Sequence, residues 1–264
     1  MLFSFQNVML RNVIDLLELR RSSNEVGTGG VHTHNGSLEP RLFYFIMTHP
    51  NLMDINSRAN RTKTIIDLGA GDGNFLFVSC SQSSHRRNVI GVELDANRVQ
   101  LLTERVQLLV NSGLSLNIPS VVEGDFSSLP NSDQRLVEYE RAIADGEFIA
   151  WFNNAREVMT REQNVQHGLE LRLSTSRAGS VVVSLDRCFR NDPFWHEQVF
   201  LITVLRNDVS WHFLETDDES TIPLRLYKYT KRLVPQEGVG RTRRAEPGIV
   251  TLEFPYWDRS LLEG

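Results

Sequence analysis

The stretch TIIDLGAGDGNF, residues 64–75, decides the fold. Thr64 to Leu68 is a short apolar, β-branched run, the composition of a strand covered on both faces. Glycines follow at 69, 71 and 73, and NFLFVSCSQS then reads as a helix. A strand, a glycine turn and a helix start in this order open an α/β unit, and ligands of open α/β sheets sit at the carboxyl ends of such strands.

Downstream the pattern repeats. The β runs NVIGVEL, PSVVEGD, EFIAWFN and GSVVVSLD alternate with helical patterns in ANRVQLLTERVQLLV and TREQNVQHGLELRL. Short Val/Ile-rich runs between amphipathic helices predict parallel strands, and right-handed crossovers make the sheet doubly wound. After Cys188 the helices stop. VFLITVL, DVSWHF, PLRLYKYT and GIVTLEF predict antiparallel strands added at one edge. Upstream, RLFYFIM (Arg41–Met47) reads as a buried helix, the Gly/Thr/His/Asn-rich stretch from Val26 to Leu38 as a loop, and the opening twenty residues as a packing helix. The expected organisation is an N-terminal helical extension with a covering loop over 1–60 and a main domain over 61–264.

Composition narrows the class. The 264 residues carry 28 Lys plus Arg against 33 Asp plus Glu, a net charge of −5, which argues against a simple polybasic nucleic-acid binder but leaves room for a local basic patch. Two cysteines, Cys80 and Cys188, are too few for a disulfide scaffold or a cysteine zinc site and fit a reducing compartment. No apolar run approaches the roughly 20 residues of a membrane span, and no His-x-x-Glu-His type metal helix appears. The expectation is neither membrane nor metal.

The glycine turn has its own chemistry. The dinucleotide fingerprint needs a glycine or alanine at position 74, where Asn74 stands. Asp67 ends the strand and Asp72 lies within the turn. Two carboxylates repel a pyrophosphate but attract the ammonium of a methionine moiety, so the turn favours S-adenosylmethionine over NAD. Glu93, at the tip of the second strand and 24 residues after Gly69, suits two ribose hydroxyls. Asp125 can accept from an adenine amino group and Phe126 can cover the base. Asn153 and Asn154 follow the fourth strand, where Asn153 can accept from an incoming amine and Asn154 suits a helix cap.

Taken together, IDLGAGDG, GVEL, GDFSS, FNNA and VSWHF resemble the signature strings of the disruptor-of-telomeric-silencing family, the non-SET histone lysine methyltransferases. The resemblance runs from Val26 to Arg232, and the pairing of N-N with V-S-W is its specific part; the compact length is similar to the short trypanosomatid versions. It implies a Rossmann-like class I S-adenosylmethionine-dependent methyltransferase that modifies a lysine in the globular core of histone H-three on nucleosomes, in the nucleus. By the same resemblance Asp67, Gly69, Gly71, Glu93, Asp125, Phe126 and Asn153 hold the cofactor, and Asn74 stands at a polar cofactor contact. Trp211 matches the tryptophan of the lysine channel. Tyr227 or Tyr229 takes the place of the channel tyrosine, with Tyr227 the first choice. Ala155 replaces the phenylalanine that follows N-N in the family.

A dry aromatic channel suits this chemistry. A lysine of pKa about 10.4 is neutral about once in a few thousand molecules at pH 7, and desolvation beside a sulfonium lowers that pKa. Arg241, Arg243 and Arg244 lie in a Gly/Pro-flanked loop and would meet DNA phosphates or the acidic histone surface. The alternative is a methyltransferase acting on RNA or another protein. An exocyclic-amine enzyme would carry Asn-Pro-Pro-Tyr where FNNA stands, and a cytosine C5 enzyme a Pro-Cys pair that neither cysteine provides.

Overall fold

The computed structural model describes residues 38, 40–81, 86–112, 117–128, 132–152, 163–185, 187–189, 192–204, 222–235 and 249–253. The β runs become strands β1 (Thr64–Leu68), β2 (Val89–Glu93), β3 (Ser120–Glu123), β4 (Phe148–Phe152) and β5 (Val181–Ser184). Three long-range strands follow: β6 (Trp195–Val204), β7 (Ile222–Lys231) and β8 (Ile249–Glu253). The helices are α1 (Pro40–Thr48), α2 (Asn74–Ser81), α3 (Ala96–Asn111), α4 (Val137–Asp145) and α5 (Gln163–Leu173).

The eight strands form one sheet in the order β3-β2-β1-β4-β5-β7-β6-β8. The chain winds outward from β1 to β3, returns to β4, and so places a switch point between β1 and β4. Strands β1 to β5 are parallel, as the helices between them require. The antiparallel addition is narrower than expected. Only β7 is reversed, against β5 on one side and β6 on the other, whereas β8 pairs parallel with β6. The segment DVSWHF lies outside the described residues.

Period-two alternation splits the core across the sheet. Ile149, Trp151 and Val183 face the side of α1 and α2, while Phe148, Ala150, Phe152, Val182 and Tyr229 face Tyr139, Ile143 and Leu169 of α4 and α5. On the first side Trp151 stacks on Phe75 at 5.9 Å and takes the edge of Phe43 at 5.1 Å. Full burial of each such ring is worth about 1.5–3 kcal/mol. The RLFYFIM stretch is therefore core, with Leu42, Ile46 and Met47 fully buried.

Helix α4 was not among the sequence expectations. VEYERAIAD carries four charges in nine residues and buries only Tyr139 and Ile143, one turn apart. With Ala142 packed beside that pair, its buried stripe is one turn long, too short to stand out from a loop. Helix α3 shows the opposite case. Asp95 caps it by accepting from the N–H groups of Asn97 and Arg98, and Leu102 and Leu109 line its buried face.

Candidate active site

The site forms where β1, β2 and β3 end. Gly69, Gly71 and Gly73 all have positive φ, at 75°, 53° and 79°, which side chains with a Cβ adopt only under strain. The Gly69 and Ala70 N–H groups donate to the Val92 carbonyl at 2.9 and 3.0 Å, which ties the turn to the end of β2. The Gly71 N–H donates to Glu93 Oε2 at 2.7 Å, and the Asp95 N–H donates to Glu93 Oε1 at 3.0 Å. One carboxylate thus fixes both the glycine turn and the cap of α3.

Asp67 is 2 % exposed, and its Oδ2 is buried without a hydrogen-bond partner among the described residues. Burial, then the negative charge of Glu93, push its carboxyl up to about 8; a hydrogen bond from the Leu76 N–H, in the first turn of α2, works the other way. A buried carboxyl with a free oxygen costs free energy that a donor or cation recovers.

The β3 loop closes the third side. Asp125 Oδ1 accepts from the Ser127 N–H at 2.8 Å and from its hydroxyl at 2.6 Å, leaving Oδ2 outside this turn. The Phe126 ring packs edge-on to Phe152 at 5.3 Å and reaches to within 3.7 Å of where a Gly69 Cβ would lie. The turns after β1 and β3 therefore meet, with an aromatic face at their junction.

Asp67, Gly69, Gly71, Glu93, Asp125 and Phe126 come together as the sequence places them. Asn74 is the first residue of α2, and its Nδ2 donates to the Leu38 carbonyl at 3.2 Å. Tyr227 sits apart, on β7 opposite Ser184 at the carboxyl end of β5. Three strand spacings separate it from β1, about 14 Å. The Arg187 guanidinium lies 5.8 Å from the Tyr227 ring. The hydroxyl of Tyr229 is already committed, donating to Glu197 Oε2 and accepting from the Cys188 N–H, each at 2.9 Å. Asn153, Trp211, Arg241, Arg243 and Arg244 lie outside the described residues.

Sequence reasoning missed the residues that hold these loops. Arg105, 4 % exposed, donates to the Asp72 carbonyl from within α3. Arg98 brings its Nη1 to 3.5 Å from a Cβ built on Gly71. Arg172 of α5 donates through Nε to the Ser128 carbonyl at 2.8 Å and pairs with Glu140 at 2.7 Å, so α5 and α4 together brace the β3 loop. Arg105 had a signal, because it stands between Leu102 and Leu109 on one helical face, where a cation needs a buried partner.

The donor set fits S-adenosylmethionine. Two acids flank a glycine turn that an extended polar ligand can approach, a third acid and a ring lie at the next strand end, and the unpartnered Asp67 oxygen suits a cation. Among the described residues no group of three His, Cys, Asp or Glu side chains could hold a metal, and no helix is long and apolar enough to cross a membrane.

No family model matches the sequence, and no curated protein matches it. Solved structures do. A protein of Listeria monocytogenes described as a class I S-adenosylmethionine-dependent methyltransferase superposes with a TM-score of 0.50, over 92% of this chain and 73% of its own, at 11% identity. An Agrobacterium tumefaciens protein described as an O-methyltransferase gives 0.48 over 82% and 85%, at 14% identity. An RNA methyltransferase of Salinibacter ruber, solved with S-adenosyl-L-homocysteine, gives 0.41 over 80% and 100%, at 15% identity. The fold is that of the class I S-adenosylmethionine-dependent methyltransferases.

Proposed function

We propose that this chain is an S-adenosylmethionine-dependent methyltransferase. The observation that carries the reading is the buried, unpartnered Asp67 oxygen beside the glycine turn and Glu93. Asp67 would take the ammonium of the methionine portion, Glu93 the ribose hydroxyls, and Asp125 and Phe126 the adenine amino group and face. The cofactor, when bound, supplies an electrophilic methyl group on a sulfonium. The chain itself aligns a nucleophile, excludes water and anchors the turn through Glu93 and Arg105. No metal is required for such a displacement.

RNA is the first reading for the substrate, with another protein beside it, since the same fold serves enzymes described as RNA methyltransferases. The second reading is the lysine of the histone H-three core on nucleosomes. The N-N and V-S-W strings favour it, and so does a buried tyrosine, Tyr227, at the carboxyl end of β5. In that reading Asn153, Trp211 and Tyr227 position the amine, Arg241, Arg243 and Arg244 dock the nucleosome, and the protein works in the nucleus.

One experiment separates these. Recombinant protein with methyl-labelled cofactor is offered total RNA, free histones and nucleosomes in parallel, and mass spectrometry locates the label. Label on RNA supports the first reading. Label on the histone H-three core lysine, strongest on nucleosomes, replaces it with the second. Failure to bind the cofactor at all overturns methyl transfer itself.

A further inference from the structure

A cavity of about 520 Å³ opens at the other end of the sheet, where β5 begins and β7 ends. This is within the roughly 300–1,000 Å³ of small-molecule sites. Its walls are the loop after α5, with Arg177, and the side chains of Phe194, Lys231, Arg232 and Leu233. Three cations therefore line it, with no acid among the lining residues, on a chain whose net charge is −5.

Lys231 is the telling residue. It is 7 % exposed, and among the described residues its Nζ makes one hydrogen bond, to the Ser174 carbonyl at 3.2 Å. Asp192 forms a long ion pair with it, 3.8 Å through Oδ2, while its Oδ1 accepts from the Phe194 N–H at 2.8 Å. An ammonium carries three donors, so this one, which lines the cavity, keeps donor capacity beyond that bond and ion pair. It lies 5.3 Å from the Phe194 ring and 5.0 Å from the Trp195 ring. The indole Nε1 of Trp195, which is 3 % exposed, has no partner among the described residues. Beside these cations, Phe194 is 37 % exposed and Leu233 84 % exposed, an aromatic and an aliphatic wall left open to solvent.

Cations alone would suit any anion. Cations beside an open aromatic face suit a flat base carrying a phosphate, since bases stack on aromatic rings whatever their sequence. We propose that this cavity binds a phosphorylated nucleoside, free or as a unit of a single strand, with its phosphate toward Lys231 and Arg232 and its base against Phe194 and Leu233. The assignment is independent of methyl transfer, because the cavity lies at the opposite end of the strands from the glycine turn.

Calorimetric titration of the full chain tests it, with uridine 5′-monophosphate, uridine, inorganic phosphate and hexauridylate as probes. A pyrimidine is used, and S-adenosylhomocysteine is kept in excess, so that the adenine region of the first site does not contribute. The monophosphate should bind roughly tenfold more tightly than uridine or phosphate, and Arg232→Glu should weaken it roughly tenfold, with binding falling as salt rises. Phe194→Ser should do the same, and Leu233→Ser, at a more exposed position, repeats that test without loss of packing. Hexauridylate binding much more tightly than the monophosphate assigns the site to a strand; equal affinity assigns it to a free nucleotide. Phosphate binding as tightly as the monophosphate, indifference to Arg232→Glu, or no binding by either uridylate overturns the proposal.

Discussion

Lys63 and Asp67 stand at opposite ends of β1, and both are buried, at 7 % and 2 % exposure. Lys63 Nζ donates to the Gly179 carbonyl at 2.6 Å and pairs with Glu147 at 3.0 Å. Asp67 keeps one oxygen without a partner. The amino end of the strand closes on itself, and its charge holds β5's entry to β1. The carboxyl end is left incomplete by the chain, with positive-φ glycines beside a buried acid. Among the described residues the one buried side-chain polar atom of β1 without a partner lies at the end where α/β sheets bind ligands, and that marks the place where a ligand completes the structure.

The sharpest way to break that comparison is Asp67→Asn. The amide keeps the shape and loses the charge, so cofactor affinity should fall about thirtyfold, the roughly 2 kcal/mol of a charge-assisted hydrogen bond. The pH dependence gives a second readout. A carboxyl that is neutral in the fold and ionised in the unfolded chain binds more protons when folded. Its stabilising share is whole below the unfolded pKa of about 3.9 and is lost as pH rises toward about 8. The free protein should therefore lose stability between those limits, and Asp67→Asn should flatten that part of the profile. Binding of a cationic cofactor reverses the sign by favouring the ionised acid, so wild-type affinity should rise with pH up to about 8 and proton release should accompany binding. Calorimetry in buffers of different ionisation enthalpy measures that release. A pH-independent affinity in the wild type would remove Asp67 from the site.

Two glycines sharpen the same contrast. Gly73 and Gly179 both have positive φ, at 79° and 94°. A Cβ on Gly73 would come within 2.5 Å of Leu102 and 2.6 Å of Phe77, both in the core, whereas one on Gly179 would meet the carboxylate of Glu147 at 2.6 Å, at the end of an exposed side chain that can swing away. Gly73→Ala should therefore cost about 3 kcal/mol, strain plus overpacking, and Gly179→Ala about 1 kcal/mol, strain alone. Urea midpoints compare them. Equal costs would mean that the turn after β1 is no more tightly packed than an ordinary surface turn.

The parts legible in the sequence are those where local and long-range demands agree. The strands β1, β2, β4 and β5 are short, mostly apolar runs because both faces are covered, and the glycine turn is read from closely spaced glycines directly after such a run. The acids at 67, 93 and 125 follow from strand ends. What was hidden depends on pairing at a distance. Helix α4 has two buried residues, and its stability comes from Leu136, Arg172 and the β3 loop around it rather than from its own pattern. The direction of β8 follows from its return to β6, which alternation within GIVTLEF does not encode. Arg172 looks like a solvated helix charge until the carbonyl of Ser128 is placed beside it. The cavity at the amino end brings together residues from three separate stretches, 174–178, Phe194 and 231–233, none of which signals a site alone.

The smallest effect is expected at the closed end. Lys63→Met keeps the aliphatic stem and removes the ammonium, leaving the Gly179 carbonyl without its donor. Glu147 is 45% exposed through its side chain, so its share of the ion pair is screened by water and returns little when lost. What remains is one half-buried carbonyl hydrogen bond, about 1 kcal/mol. The loss should appear in the urea midpoint of the free protein and leave cofactor affinity and its pH dependence unchanged, because β1 still reaches Asp67 through its pairing with β2 and β4. A Lys63→Met protein that lost affinity as Asp67→Asn does would show that the two ends of β1 are energetically coupled, and the amino end would then be part of the site rather than its foundation.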